Sequence, residues 1–503
     1  MPAAFNDLPP ELLAPIFSSL PESSIVRCAR VSREWNAFAT PLLYRRVAVY
    51  SWNTNAKTRA AALMRTLAEK PDVARWVKHI DVRDFYREFE FMSGHDEERA
   101  ELYQHCEQGL ANCVNVESCV WPRDGTLTTT MIDVLSHLSR LERLEFNARS
   151  VTYDPSDLVR IRQIRSLGLT LPDKPAANVL PKWFQAIAEA GRDSDGVEHG
   201  GLRDLRVICQ SDNSIGSSML IRLAPYLTRL ESFHLLGCAK ADHIGIRAVL
   251  AGCSATIQRL SLESISLKFD LKELATGLEL PRLTSLTLTL PTPPAPQQPF
   301  LNALLELTSS SPLAALSLFQ PATQTPPSTS LVLYSASAAQ QNTAPQPREY
   351  PQFTPDFVQR LALQHSGTLR QVAIARLPTP LEAIEALSAY FPKLEVLIVP
   401  VHQFDWPRLA AAVSASSLPF LRTLHLSYPT SPRIRALTRH ELVGLSVLTE
   451  IASSCSPTLE QIGQFNKVYE VVRRWDKATD ATSVVLERWS GPQFPDAFQV
   501  IRA

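Results

Sequence analysis

A short pattern of apolar positions recurs along most of the chain. It has the form L-x-x-L-x-L, with Leu, Ile, Val or Phe at the apolar positions, and its last three residues alternate as in a half-buried β-strand. Clear copies begin at Val77, Leu141, Ile164, Leu202, Leu230, Ile257, Leu283, Leu313, Leu369, Leu394 and Leu421, and weaker ones at Val116 and Leu459. We expect a short strand at each copy.

The spacing of these copies predicts a repeat array. Copies between Leu202 and Leu313 start 28, 27, 26 and 30 residues apart, and amphipathic stretches suited to helices lie between them. One strand and one helix cannot cover their own apolar face, so successive units must stack. The pattern resembles that of leucine-rich repeats, which implies parallel strands on the concave side of a solenoid and helices outside.

The first part of the chain has a different pattern, in residues 8–44. Pro9 and Pro10 suit the first turn of a helix, Pro21 ends its apolar run, and Ser32 can cap a later helix that carries Trp35. We predict three short helices with more apolar side chains than they can enclose. Either a partner or the following domain must cover the remainder.

The order of residues in this segment resembles the F-box motif. Leu8-Pro9, Ile16-Phe17, Leu20-Pro21, Cys28, Val31-Ser32 and Trp35 follow the spacing of that family. The resemblance implies a helical segment that binds a Skp-type adaptor, and through it the cullin and RING subunits of an SCF-type ubiquitin ligase. The adaptor contacts it implies are Leu8, Pro9, Leu12, Ile16, Phe17, Leu20, Val31 and Trp35.

These patterns together give an α/β fold class with three domains. We expect a three-helix F-box at 1–46, an irregular leucine-rich-repeat solenoid at 47–455, and a β-rich C-terminal cap at 456–503. The cap contains β-prone runs at 468–472, 483–486 and 498–501. Segments 291–299 and 320–355 are rich in Pro, Gln, Ser and Thr and are expected to be disordered insertions.

Strand alternation also predicts which array residues face a bound target. The second and third leucines of each copy should point into the core, and the residues between and after them should point to the concave face. The candidates for target binding are Glu145, Arg206, His234, Glu263, Thr287, Phe319, Ile398 and His425. For any single one of them, an ordinary solvated strand position is the more common alternative.

Composition changes this interpretation little. Fifty basic and fifty acidic side chains give a formal net charge of zero, so nothing favours nucleic acid or an anionic membrane as a partner. No secretory signal or membrane-spanning stretch is evident, and eight cysteines without a C-x-x-C pair favour free thiols. We expect an intracellular protein of the cytoplasm, the nucleus or both.

The sequence carries no recognisable catalytic or nucleotide-binding motif. It has no G-x-S-x-G, P-loop or G-x-G-x-x-G, so we expect neither an enzyme nor a cofactor. The alternative to a chain without a cofactor is a zinc site at His105, Cys106, Cys113 and Cys119, although their spacing fits no standard zinc finger.

The order of the two motifs favours a substrate receptor, in which the F-box holds the ligase and the repeats hold an unidentified target protein. The alternative is a scaffold that uses the same two parts without causing degradation.

Overall fold

The structure is a computed structural model that describes residues 10–86, 96–191, 201–210, 214–291, 297–320, 353–377, 379–401, 405–427, 444–464, 467–476 and 481–489. It divides into two compact units. The first contains the residues up to Ala241 together with Ala248–Cys253, and the second contains Asp242–Arg247 and the residues from Ser254 onward. The fold is mixed α/β, with a helical N-terminus followed by alternating strands and helices that resemble a leucine-rich-repeat solenoid.

Helices and strands alternate along most of the chain after the first three helices. The α-helices are α1 (Pro10–Ser18), α2 (Glu22–Cys28), α3 (Arg33–Arg45), α4 (Ala56–Glu69), α5 (Pro71–Ala74), α6 (Asp96–Asn112), α7 (Thr129–His137), α8 (Lys174–Ala190), α9 (Ser217–Leu223), α10 (His243–Cys253), α11 (Leu271–Ala275), α12 (Gln297–Thr308), α13 (Pro355–His365), α14 (Leu381–Tyr390), α15 (Trp406–Ala412) and α16 (Leu445–Ser454). The strands are β1 (Arg46–Val49), β2 (His79–Val82), β3 (Ser118–Trp121), β4 (Arg143–Asn147), β5 (Ser166–Thr170), β6 (Asp204–Ile208), β7 (Ser232–Leu236), β8 (Arg259–Glu263), β9 (Ser285–Thr289), β10 (Ala315–Phe319), β11 (Gln371–Ala375), β12 (Val396–Pro400), β13 (Thr423–Ser427), β14 (Gln461–Gln464), β15 (Lys467–Asp476) and β16 (Ala481–Arg488).

The strands of each unit pair in chain order and in register. Strands β1–β7 are parallel in the first unit, and β8–β14 are parallel in the second. Equivalent apolar residues therefore stack, as where Leu205 of β6 pairs with Phe233 of β7. The second and fourth residues of these strands are buried, which confirms the predicted strand pattern.

The other side chains of each strand point away from this core because strand side chains alternate. We call the surface formed by the first, third and fifth strand residues the open face. It is where the sequence predicted target contacts.

Strand exits in the array repeatedly use a left-handed backbone. Leu171, Gly237, Ser264 and Arg376 each follow directly after a strand and have φ of 54, 70, 48 and 60°. Only glycine takes this conformation without steric cost. At Gly237 a Cβ atom would also lie 2.4 Å from the carbonyl oxygen of Cys209, so this exit needs glycine for two separate reasons.

Ion pairs link neighbouring repeats just before their strands. Lys78 Nζ lies 2.6 Å from Glu117 Oε1 in the first unit. In the second unit Arg370 Nη1 lies 2.9 Å from Glu395 Oε1, and Arg422 Nη2 lies 2.6 Å from Glu460 Oε1. Exposed pairs of this kind contribute only ~0–1 kcal/mol each.

The described C-terminal part ends in an antiparallel hairpin. Strand β14 still pairs in parallel with β13, so it continues the repeat ladder inside the region predicted as a cap. Strands β15 and β16 then add antiparallel to it, and they contain the β-prone runs predicted at 468–472 and 483–486. The run at 498–501 lies outside the described residues.

Both predicted insertions include residues that belong to the folded array. Residues 292–296 and 321–352 lie outside the described residues, but 297–299 form the start of α12, so their prediction as disordered is wrong. Phe353 is fully buried 5.4 Å from the ring of Phe357, and the Thr354 hydroxyl accepts the backbone N–H of Phe357. The prediction is therefore also wrong for Phe353 and Thr354.

The Gly237 exit can be tested against a matched glycine. Gly237→Ala should lower the free energy of unfolding by more than Gly125→Ala, because Gly125 has a similar φ of 66° but no neighbouring atom within 4 Å of where a Cβ would lie. Strain alone costs roughly 1–2 kcal/mol, and only Gly237 adds a backbone clash. Urea unfolding midpoints measure both variants. Equal losses would show that the clash is relieved by a small shift.

A buried histidine in the second unit has a defined tautomer. His365 is 1 % exposed, and its Nε2 lies 3.1 Å from Thr308 Oγ1. The Thr308 hydroxyl donates its own proton to the carbonyl of Leu304 at 3.0 Å, so it must accept from the Nε2–H of His365. Burial lowers the pKa of His365 below its ordinary value of 6.5.

This histidine should make folding sensitive to acid. The unfolded chain takes up a proton near pH 6.5, while burial shifts proton uptake by His365 in the folded chain to lower pH. The contribution of the neutral buried ring to the free energy of unfolding is therefore complete above pH 6.5 and is lost as the pH falls. His365→Leu should reduce the slope of unfolding free energy against pH by up to about 1.4 kcal/mol per unit. Urea midpoints measured from about pH 7.5 to about pH 5.5 test it; an unchanged slope would contradict the assignment.

Candidate protein-binding site

Helices α1–α3 (Pro10–Arg45), which we call the hook, have a small core of their own. Its buried members are Leu13, Phe17, Ile25 and Ala39. The rings of Phe17 and Trp35 are 5.3 Å apart and tilted by 57°, a favourable arrangement for two aromatic side chains. This core joins residues from all three helices.

Local hydrogen bonds set the ends of the hook helices. Helix α2 follows Pro21 without a side-chain cap. The Ser32 hydroxyl accepts the backbone N–H of Trp35 at 3.1 Å and caps α3, as the sequence predicted. Asn36 Nδ2 donates to the carbonyl of Ala29 at 2.9 Å and so ties α3 to the end of α2.

Several apolar side chains of the hook remain exposed. Leu12 on α1, Val26 on α2 and Val31 just before α3 are 45, 43 and 60 % exposed. Ile16, Leu20 and Trp35 are partly buried against the core. The hook thus presents apolar surface that its own three helices do not cover.

One predicted adaptor contact needs correction. Phe17 is 0 % exposed, because its side chain packs against Trp35 in the hook core, so it supports the exposed surface from within. Leu8 and Pro9 lie outside the described residues. The sequence pattern did not single out Val26, which lies next to buried Ile25 on α2 and is 43 % exposed.

The open face of the first unit carries charge. Glu145, Arg206 and His234 lie in one row across β4, β6 and β7, with Gly168 of β5 between the first two. Arg206 is exposed and His234 is partly buried. The structure therefore brings these three predicted residues onto one surface.

Glu145 is not displayed as predicted but is 6 % exposed. Its side chain occupies the space beside Gly168, where a Cβ would lie only 2.6 Å from Glu145 Cγ. Arg143 Nη2 approaches its carboxylate at 3.5 Å. The missing side chain at Gly168 therefore explains the burial of this carboxylate.

A second carboxylate on the same face is also held by arginine. Asp81 is 7 % exposed, and its Oδ1 accepts from Arg83 Nε at 2.9 Å. Partial burial alone would lower the pKa of Arg83, but attraction to Asp81, and to Glu145 more weakly, raises it above its ordinary value. Asp81 and Glu145 are thus each paired with an arginine, while Arg206 lies exposed on the same face.

The open face of the second unit has a different character. Thr287, Ile398 and His425 share its central row, and Phe319 lies at the end of β10 beside Ala375. Thr287, Phe319 and Ile398 are partly exposed. They are the predicted residues of this unit that a partner can touch.

Two candidates of the second unit are buried instead of displayed. Glu263 and His425 are 2 and 3 % exposed. The carboxylate of Glu263 accepts from Ser261 Oγ at 2.6 Å, so the strand itself uses this side chain. Their prediction as displayed target contacts is therefore wrong.

The cysteines near the considered zinc site are packed in the core. Cys106, Cys113 and Cys119 are at most 1 % exposed, and all eight cysteines are free thiols. Burial raises the pKa of Cys113 to about 12, which disfavours the thiolate that a metal would need. Among the described residues no group of three His, Cys, Asp or Glu side chains is placed to hold a metal ion.

No described helix has the length and apolar character needed to cross a bilayer.

Comparison with known proteins gives a family match and similar solved structures. Residues 5–49 match the F-box-like family model. A chain from the crystal structure of the Rad7 and Elc1 complex in yeast aligns with a TM-score of 0.42 and 13 % identity, covering 83 % of this chain and 88 % of that chain. No curated protein matches the sequence.

The family match covers the whole hook, including its core and its exposed apolar side chains. The chain therefore contains an F-box-like domain, followed by an α/β solenoid that resembles leucine-rich repeats.

Proposed function

We propose that the protein is the substrate-recognition subunit of an SCF-type ubiquitin ligase. The observation that carries this proposal is the F-box-like domain at 5–49, whose helices leave Leu12, Val26 and Val31 exposed. F-box domains bind Skp-type adaptors, which connect them to cullin and RING subunits. The hook would bind the adaptor, and the open face of the repeats would bind a target protein.

The exposed apolar side chains suit such an interface. Full burial of a Leu or Val side chain contributes about 1.5–3 kcal/mol, and these three are each roughly half exposed in the hook. The core under them is fixed by the contact between Phe17 and Trp35. A preformed surface of this kind loses little side-chain freedom on binding.

The proposed mechanism is proximity without catalysis by this chain. Binding the ligase through the hook and a target through the repeats raises the effective concentration of the target near the ubiquitin-carrying subunits. No side chain of this protein has to take part in bond formation. We propose an intracellular location, cytoplasmic or nuclear, which the eight free thiols support.

Charge placed on the hook surface should weaken adaptor binding. Val31→Asp should weaken the affinity of the full chain for a Skp-type adaptor by at least about tenfold, because a carboxylate would lose its water at an apolar interface. Titration calorimetry with the purified adaptor measures the effect. Because Val31 is 60 % exposed, the variant should still fold.

The matched control is Val151→Asp, the same change at a side chain that is 78 % exposed outside the hook. It should bind the adaptor as the wild type does. Adaptor binding by Val31→Asp at wild-type affinity would contradict the proposal. The half-life of a bound target distinguishes a ligase subunit from a pure scaffold. If proteins bound to the repeats have the same half-life in the presence of wild type and of Val31→Asp, the ligase role is wrong.

A further inference from the structure

The open face of the second unit is free of charged residues over six consecutive strands. From β9 to β14 the first, third and fifth strand residues occupy seventeen positions, none of them Asp, Glu, Lys or Arg. Five of these residues are buried: Ala373, Pro400, Thr423, His425 and Gly463. Charged residues make up 20 % of the chain, so about two would be expected among the other twelve even before surface enrichment is counted. The central row reads Thr287, Ser317, Ala373, Ile398, His425 and Gly463.

This neutrality is confined to the face and does not extend to its surroundings. The residues directly before β11–β14 are Arg370, Glu395, Arg422 and Glu460, and they form the ion pairs described above. Charge therefore lies along one edge of the face and is compensated there. A neutral centre with a charged rim is the usual anatomy of a protein-binding surface.

The first unit lacks this property. The third residues of its strands include Asp81, Glu145 and Arg206. The neutral face begins only after β8, whose first and fifth residues are Arg259 and Glu263. The two units therefore differ in the charge of their open faces, although their strands share the same apolar pattern.

The chemistry of the neutral face restricts its occupant. Hydroxyl groups such as those of Thr287 and Ser317 can donate to and accept from peptide groups, while Phe319 and Ile398 offer partly exposed apolar surface. A charged side chain of a partner would lose water there without meeting an opposite charge. Nucleic acid is disfavoured for the same reason, since phosphates need cations.

We propose that the open face of β9–β14 is the target-docking surface and binds a protein segment whose contacting side chains are hydroxyl, amide or apolar, without Asp, Glu, Lys or Arg. This inference rests on the proposed function, because it specifies the class of target segment that the receptor recognises.

The test uses the full chain and a random twelve-residue peptide phage library as the probe. The expected result is enrichment of peptides with fewer charged residues than the starting library. A synthetic enriched peptide should change its affinity by less than about twofold between roughly 0.05 and 0.5 M NaCl, because no ion pair contributes to binding. Enrichment of charged peptides, strong salt dependence or no enrichment would overturn the proposal.

Two variants locate the binding site. Ile398→Asp should weaken the peptide affinity by at least about tenfold. Ile208→Asp makes the same change at the fifth position of β6, a partly buried residue on the open face of the first unit, and should leave the affinity unchanged. Circular dichroism and unfolding midpoints establish that both variants fold. Equal effects of the two variants would overturn the assignment.

Other occupants of the face give distinct results. If wild type is a dimer by light scattering and Ile398→Asp is a monomer, the face binds a second copy and the proposal is wrong. It is also wrong if peptides bind only after residues 321–347 are replaced by a Gly–Ser linker, since the chain itself would then cover the face. The peptide assay contains no adaptor, so its failure is separate from failure of the adaptor-binding test.

Discussion

The stacking of repeats is the constraint on which the rest of this structure depends. Each strand buries one row of side chains that its own helix cannot cover, so the neighbouring repeat must supply the remaining contact surface. Leu144, Leu167, Leu205 and Phe233 show this in register across β4–β7. Because this core fixes the direction of every second residue, it also determines which side chains form the open face.

The hook solves a similar problem with fewer residues. Its three helices enclose Phe17 completely but leave Leu12, Val26 and Val31 in contact with solvent. A unit this small has too little interior to bury all its apolar side chains. The same shortage that limits its stability gives it a surface on which a partner can gain binding energy.

The period of apolar residues, together with the proline and serine signals at helix ends, was sufficient to predict the three N-terminal helices, strands β2–β14 and the α/β class. It did not predict β1 (Arg46–Val49), which lies before the first copy of the repeat pattern. It could not predict which candidate residues are exposed. Glu145 is buried because Gly168, its pairing partner on β5, leaves space for it, and such three-dimensional relations are absent from a strand pattern.

Composition alone also gave wrong ends for the two insertions, at the start of α12 and at Phe353. At Phe353 the contact with the ring of Phe357 holds the residue in the core, although the sequence before it is rich in proline and glutamine. The neutral face likewise required the register, since its central row from Thr287 to Gly463 comes from six separate parts of the chain.

The ion pairs directly before the strands affect which repeats of this array can be lost without bringing like charges together. Arg422 lies between Glu395 and Glu460, since its backbone N–H bonds to Glu395 and its carbonyl accepts from Glu460. Loss of the unit that carries Arg422 would set two carboxylates side by side, and like charges in that position are destabilising. Alternating charge therefore favours the present order of these repeats: loss of a single unit would bring like charges together, whereas loss of two neighbouring units would keep the alternation.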